Sequence, residues 1–259
     1  MPTIKDSLYF NYDGVSCKTY NLMNVNLSNG MFEDTLHASR SINETQVRGS
    51  DTPLFNSVEE EPLQFDMVIA FTKEFTDTDI DNVVVWLFQD VYKPLYFEDK
   101  PNKIYYCMPI GDANIVHTGL KQGYFTLSMR CKSSKIYSPQ KTSPLYDLST
   151  NTGRYSINVS NGGHVAIYPE ISITKVGAGN ITLIKSGKIF EIRNLTDREE
   201  IYINCEKEII SSDAEKIGVY RYDDVVGNYH DMMLNRGNNT IYVEGNCKIQ
   251  LRYVFKYKF

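Results

Sequence analysis

From Ile249 onward every second residue is apolar. Ile249, Leu251, Tyr253, Phe255, Tyr257 and Phe259 share one side, while Lys248, Gln250, Arg252, Lys256 and Lys258 share the other. A period of two is the pleat of a half-buried β-strand and does not match the 3.6-residue turn of a helix. The same alternation runs through Leu63, Phe65, Met67, Ile69 and Phe71, and again through Phe125, Leu127 and Met129. Strands of this kind must pair and bury one face, so the pattern commits most of the chain to antiparallel sheet. Nineteen tyrosines and many β-branched residues suit that geometry.

Shorter strands are predicted over Leu8–Tyr12, Tyr20–Leu27, Tyr155–Val159, Ile171–Val176, Ile201–Asn204 and Thr240–Glu244. Asp13-Gly14 and Asn29-Gly30 are turn pairs, and Ser186-Gly187 joins Ile181–Ile184 to Lys188–Ile192 as a compact hairpin. Pro94–Phe97 and Lys103–Met108 form a second hairpin through Glu98–Asn102. One helix is expected, opened by Thr78-Asp79-Ile80-Asp81, with Ile80, Val83, Val84 and Leu87 as its apolar stripe. Arg40–Arg48 is polar and extended, with few core residues. Arg40, Glu44 and Arg48 share a face there, while Ile42 and Val47 fall on opposite faces, as in a reaching arm or long hairpin. Glu59-Glu60-Glu61 beside Pro62 reads as a solvated loop.

Residues 136–152, rich in Ser, Pro and Thr, read as a linker. It separates an N-terminal domain, 1–135, from a β-sandwich over 153–259, whose last few residues are free to return to the first domain. The fold class is therefore mainly β, with one helix and a polar arm or long hairpin in the first half and a sandwich in the second.

The net charge of −5 and the lack of a basic stripe argue against nucleic-acid binding. No basic n-region precedes an apolar run at the start, and no stretch approaches the ~18 apolar residues of a membrane span. Five scattered cysteines without a CxxC pair read as free, buried thiols. Asp77, Asp79 and Asp81 imitate the opening of a calcium loop, but Asn82 stands where Gly is needed and Phe88 where Glu is needed. Gly177-Ala178-Gly179 lacks the third glycine of a dinucleotide site, and the four histidines are far apart in sequence. No catalytic residue, metal site or cofactor is expected.

The order of these elements resembles the distal tail proteins of long-tailed bacteriophages. The residues that carry the resemblance are the arm Arg40–Arg48 with Gly49-Ser50-Asp51, the strand Leu63–Phe71, the helix near Ile80–Phe88, and Tyr92-Lys93-Pro94-Leu95-Tyr96-Phe97 leading into Lys103-Ile104-Tyr105-Tyr106. In the second half they are Asn161-Gly162-Gly163, Tyr168-Pro169-Glu170-Ile171 and Leu234–Ile241. The resemblance implies that the first domain is a β-sandwich-like unit with one helix and a long hairpin that builds a homohexameric ring, with Arg40, Ile42, Glu44, Val47 and Arg48 as candidate interface residues, and that a galectin-like second domain points outward. It also implies a virion protein of the tail tip, assembled in the host cytoplasm, whose neighbours are the tail-tube protein, a tail-tip hub or tail-associated lysin-type protein, and a receptor-binding protein. DNA would pass through the ring without specific binding, and an acidic chain suits such a conduit. Carbohydrate binding by the second domain, or a place elsewhere in the tail tube or hub, is the alternative. The only tryptophan, Trp86, lies in the first half, away from any sugar site of the second.

Overall fold

The computed structural model describes residues 4–27, 35 and 37–259. The expected Asn29-Gly30 turn lies outside them. The chain forms two compact units, residues 1–137 together with 258–259, and residues 138–257.

The first unit is built on one antiparallel sheet. Its strands run in the order Val15–Ser16, Phe10–Tyr12, Lys93–Phe97, Tyr105–Ile110, Gly123–Cys131, Gln64–Phe71 and Leu22–Val25, with Ile115–His117 also paired to Gly123–Cys131. The sheet curls over its core, because the Asn24 N–H from one edge donates to the Leu8 carbonyl beside the other at 2.8 Å. Leu63, Phe65, Met67 and Ile69 point into that core together with Leu127, Met129, Phe10 and Phe97.

The helix spans Asp77–Leu87. Thr76 caps it, accepting from the Asp79 N–H while the Asp79 carboxylate accepts from the Thr76 N–H. The acids that imitate a calcium loop are thus the first turn of a helix. Its buried face differs from the expected stripe. Val83, Trp86 and Leu87 face the core, while Val84 is 46% exposed. Trp86 decides the rotation: its ring lies 4.7 Å from Tyr20 and 6.0 Å from Phe10, and its Nε1–H donates to the Tyr12 carbonyl at 3.0 Å.

The second unit is a two-sheet sandwich. One sheet orders Lys141–Thr142, Cys247–Tyr253, Glu170–Lys175, Glu200–Asn204 and Ile209–Ser212, with Tyr146–Leu148 also on Cys247–Tyr253. The other orders Arg154–Asn161, Gly237–Glu244, Gly179–Lys185, Lys188–Leu195 and Val225–Val226. Their inner faces share one core, with Ile171, Ile173, Ile201 and Ile249 from the first sheet and Ile157, Leu183, Phe190 and Val243 from the second. Ser186 and Gly187 turn the hairpin with φ of 50° and 78°, the pair of positive values that matches the twist of the flanking strands.

Two expectations are corrected. The stretch 136–152 is not a free linker over its length: Lys141–Thr142 and Tyr146–Leu148 are strands hydrogen-bonded to Cys247–Tyr253. Ser143 anchors the segment between them, its N–H donating to the Leu251 carbonyl and its Oγ accepting from the Leu251 N–H. Prolines at the unpaired positions 139 and 144 leave these ladders intact, so composition alone misleads here. The terminal alternation is likewise interrupted. Cys247–Tyr253 ends, and a separate strand resumes at Lys256–Lys258. Ile249 and Leu251 are buried, while Tyr253, Phe255 and Tyr257 are half-buried. All five cysteines are buried and free.

Two inward-facing lysines break the apolar pattern of the second unit's strands, and Lys175 is satisfied by the Val176 and Asn246 carbonyls. Lys185 follows Ile181 and Leu183 on the core side and is 5% exposed, and its ammonium has no hydrogen bond or ion pair among the described residues. Burial pushes its ammonium below the ordinary lysine value. Lys185→Met is expected to stabilise the second unit by on the order of 1 kcal/mol in urea unfolding. With its pKa lower in the fold than unfolded, the wild type gains stability as pH rises towards the unfolded value of 10.5, and the variant loses that slope. A variant no more stable than wild type and keeping the slope refutes this.

Candidate assembly interface

Arg40–Thr45 and Leu54–Glu60 pair with each other as a two-stranded sheet separate from the main one. Nearly every residue of both strands is exposed. The root is fastened. Glu60 accepts from Ser134 Oγ at 2.9 Å, bonds Lys135 Nζ, and lies 3.8 Å from Arg40 Nε. The Lys135 ammonium, aided by Ser134, holds the Glu60 carboxyl down at about 2. Beyond this root the arm is held by its own ladder and by side-chain bonds such as Asn56 Nδ2 to Thr45 Oγ1 at 2.9 Å.

Arg40, Ile42 and Glu44 lie on one face of the first strand, as alternation requires. Ile42 sits opposite Val58, and Glu44 opposite Phe55 across a bulge that leaves Asn56 as the extra residue. Val47 and Arg48 are not on that face, because the strand ends at Thr45 and both belong to the tip. The second strand is what sequence reading missed. Leu54, Phe55 and Val58 give it an apolar content hidden beside Glu59-Glu60-Glu61, and the alternation of Phe55, Ser57 and Glu59 is broken by the bulge. Ile42 is 65% exposed and Phe55 61% exposed. These apolar side chains stand open on a two-stranded pair that joins no larger sheet among the described residues, a liability when left bare.

On the same unit, a cleft of about 490 Å³ lies between the helix and the loop 111–115. Phe71, Ile80, Val84, Phe88, Ile115 and Phe125 line it. Among the described residues no group of three or more His, Cys, Asp or Glu side chains is placed to hold a metal. Among the same residues no helix is long and apolar enough to cross a membrane.

The first unit is thus an antiparallel sheet with an outstretched hairpin, and the second a two-sheet sandwich. The comparisons agree in kind. Residues 5–133 match the family model described as phage tail protein N-terminal domain, and residues 138–253 the one described as phage tail C-terminal domain. The chain belongs to this family of phage tail proteins. It is 30% identical over 257 residues to the SPbeta prophage-derived uncharacterized protein YomH of Bacillus subtilis (strain 168), covering 98% of this chain and 99% of that one. Among solved structures, the Dit protein (gp 19.1) of SPP1, described as a paradigm of the hub adsorption apparatus in phages infecting Gram-positive hosts, superposes with a TM-score of 0.69. The identity is 16%, and 96% of this chain and 99% of that one are covered. A chain of the phage P2 baseplate in its Ca-activated conformation gives a TM-score of 0.49 at 8% identity over 92% of each chain. The fold of this chain is thus that of a distal tail protein.

Proposed function

We propose that the protein is the distal tail protein of a long-tailed phage, a ring-forming connector between the tail tube and the tail-tip hub. Copies of the first unit close head to tail into a hexamer around the DNA channel. The second unit, galectin-like in this reading, faces outward and offers docking surface to a hub or tail-associated lysin-type protein and to a receptor-binding protein. The work done is geometric. Apolar surface and free strand edges are satisfied by neighbours, and an acidic chain lets DNA pass without trapping it.

The observation that carries this is the hairpin. Ile42, Leu54, Phe55 and Val58 stand open to solvent on an arm that, among the described residues, is tied to its own unit only at the root, in a chain with the fold of a distal tail protein over nearly its whole length. Carbohydrate binding by the second unit lacks such support, because Trp86 is buried in the core of the first.

Electron microscopy of purified full-length protein and of intact tails tests the reading. Single closed rings with six-fold symmetry at the tail end are expected. A protein that is monomeric at every concentration and within tails, or one that stacks along the tube, overturns it.

A further inference from the structure

The ring reading says that the arm reaches a neighbour but not where it lands. We propose that it lands in the cleft beside the helix, so that the hairpin of one copy fills the apolar surface between α-helix Asp77–Leu87 and loop 111–115 of the next. This rests on the ring reading and adds its receiving surface.

A closed ring of identical subunits needs two different, complementary patches on every copy, one that gives and one that receives. The giving patch is Ile42, Phe55 and Val58, which share a face of the hairpin. The receiving patch is the helix face that the core leaves open. Trp86 rotates Val83 and Leu87 inward, and the same rotation turns Val84 and Phe88 out towards the cleft. That face carries more apolar exposure than a solvated helix needs, with Val84 46% and Phe88 41% exposed. At about 490 Å³ the cleft has room for an aromatic anchor and an aliphatic neighbour, the side chains that dominate interface energetics.

Charge supports the pairing. Arg48 at the tip of the arm is exposed and has no ion pair or hydrogen-bonded side-chain partner among the described residues. Asp112, lining the cleft, and Asp81, next to Ile80 on the helix, are exposed and unpaired in the same sense. A basic tip arriving at an acidic rim steers the approach and sets which end of the hairpin enters first.

Two variants test this without needing a ring. Phe55→Asp damages the arm and leaves the cleft intact. Val84→Asp damages the cleft and leaves the arm intact. Each alone should be monomeric by light scattering, with the far-ultraviolet circular dichroism and Trp86 fluorescence of the folded protein. Mixed, they should form a one-to-one complex that grows no further, because only one arm-to-cleft contact is available. Arg48→Asp should weaken assembly at least ten-fold, and Asp112→Arg added to it should restore most of the loss. Mixtures that stay monomeric at the highest concentration reached overturn the cleft assignment, as does a Val84→Asp protein that assembles like wild type. If Val84→Asp still yields six-fold rings, the ring reading stands and only its receiving surface is wrong. If the mixture pairs but wild type gives another symmetry, the cleft stands and the hexamer falls.

Discussion

Replacing Glu199 with Ala should destabilise the second unit by about 3–5 kcal/mol, the usual result of stripping one partner from a buried ion pair. Glu199 and Arg221 are almost wholly buried, with Nε to Oε1 at 2.7 Å and Nη2 to Oε2 at 2.8 Å. Ser212 Oγ and the Thr196 N–H and Oγ1 also donate to the carboxylate. Arg221 reaches Asp224 at 2.9 Å, and Asp224 accepts from Asn194. Burial works to raise the Glu199 carboxyl, but the bonds from Arg221, Ser212 and Thr196 outweigh it and hold the group at about 2. Removing Glu199 leaves a guanidinium in the interior with one carboxylate instead of two. The double change to Ala at both positions should cost less than the sum of the single ones, because it removes the stranded charge as well. Urea unfolding followed by circular dichroism gives these numbers, with Trp86 fluorescence as the signal of the first unit. A loss under about 1 kcal/mol in Glu199→Ala sinks the prediction.

The same network sets an acid limit. Glu199 titrates at about 2 in the fold and near 4.5 when unfolded, so its contribution is complete above pH 4.5. It drains away as pH falls from there towards 2. That amounts to roughly 3 kcal/mol from one residue. Wild type should therefore lose stability steeply over this window, and Glu199→Ala should show a shallower slope.

Trp86→Ala should cost the first unit about 3–5 kcal/mol, since it deletes the largest ring of that core and strands the Tyr12 carbonyl. Trp86→Phe should recover much of the loss, as a ring still stacks on Tyr20 and Phe10 while the single hydrogen bond is missing. The effect should extend beyond stability. Trp86 fixes the roll of the helix, so Trp86→Ala should also weaken association through the Val84 and Phe88 face at concentrations where the unit remains folded. Equal stability of the Ala variant and wild type in chemical unfolding contradicts this account.

Period-two patterning proved the most legible part of the chain. The expected strands Leu63–Phe71, Tyr124–Cys131 and Ile181–Ile192 with its Ser186-Gly187 turn all lie where alternation puts them, because a half-buried strand has no other way to arrange its side chains. The helix was legible as an element but not in its roll. Val83, Val84 and Val85 are three similar residues in a row, and only the tertiary contacts of Trp86 choose among them. Ile209–Ser212 and Val225–Val226 escaped notice because each is too short to establish a period. Of the arm, the first strand was readable from its polarity. The second was masked by acids at its end and by a bulge, and its apolar side chains resemble an ordinary strand until the structure shows that no core lies beneath them.

The first unit takes its material from both ends of the sequence. Lys258 and Phe259 belong with residues 1–137, and the Phe259 ring lies 6.2 Å from Tyr105. Residues 138–257 are thus an insertion. During synthesis residues 1–137 are made first, yet the Phe259 ring that packs on Tyr105 is added only after every strand of the sandwich. Replacement of the insertion by a different sandwich is accordingly a matter of matching two chain crossings, one after Tyr137 and one before Lys258, while residues 1–137 keep a core of their own.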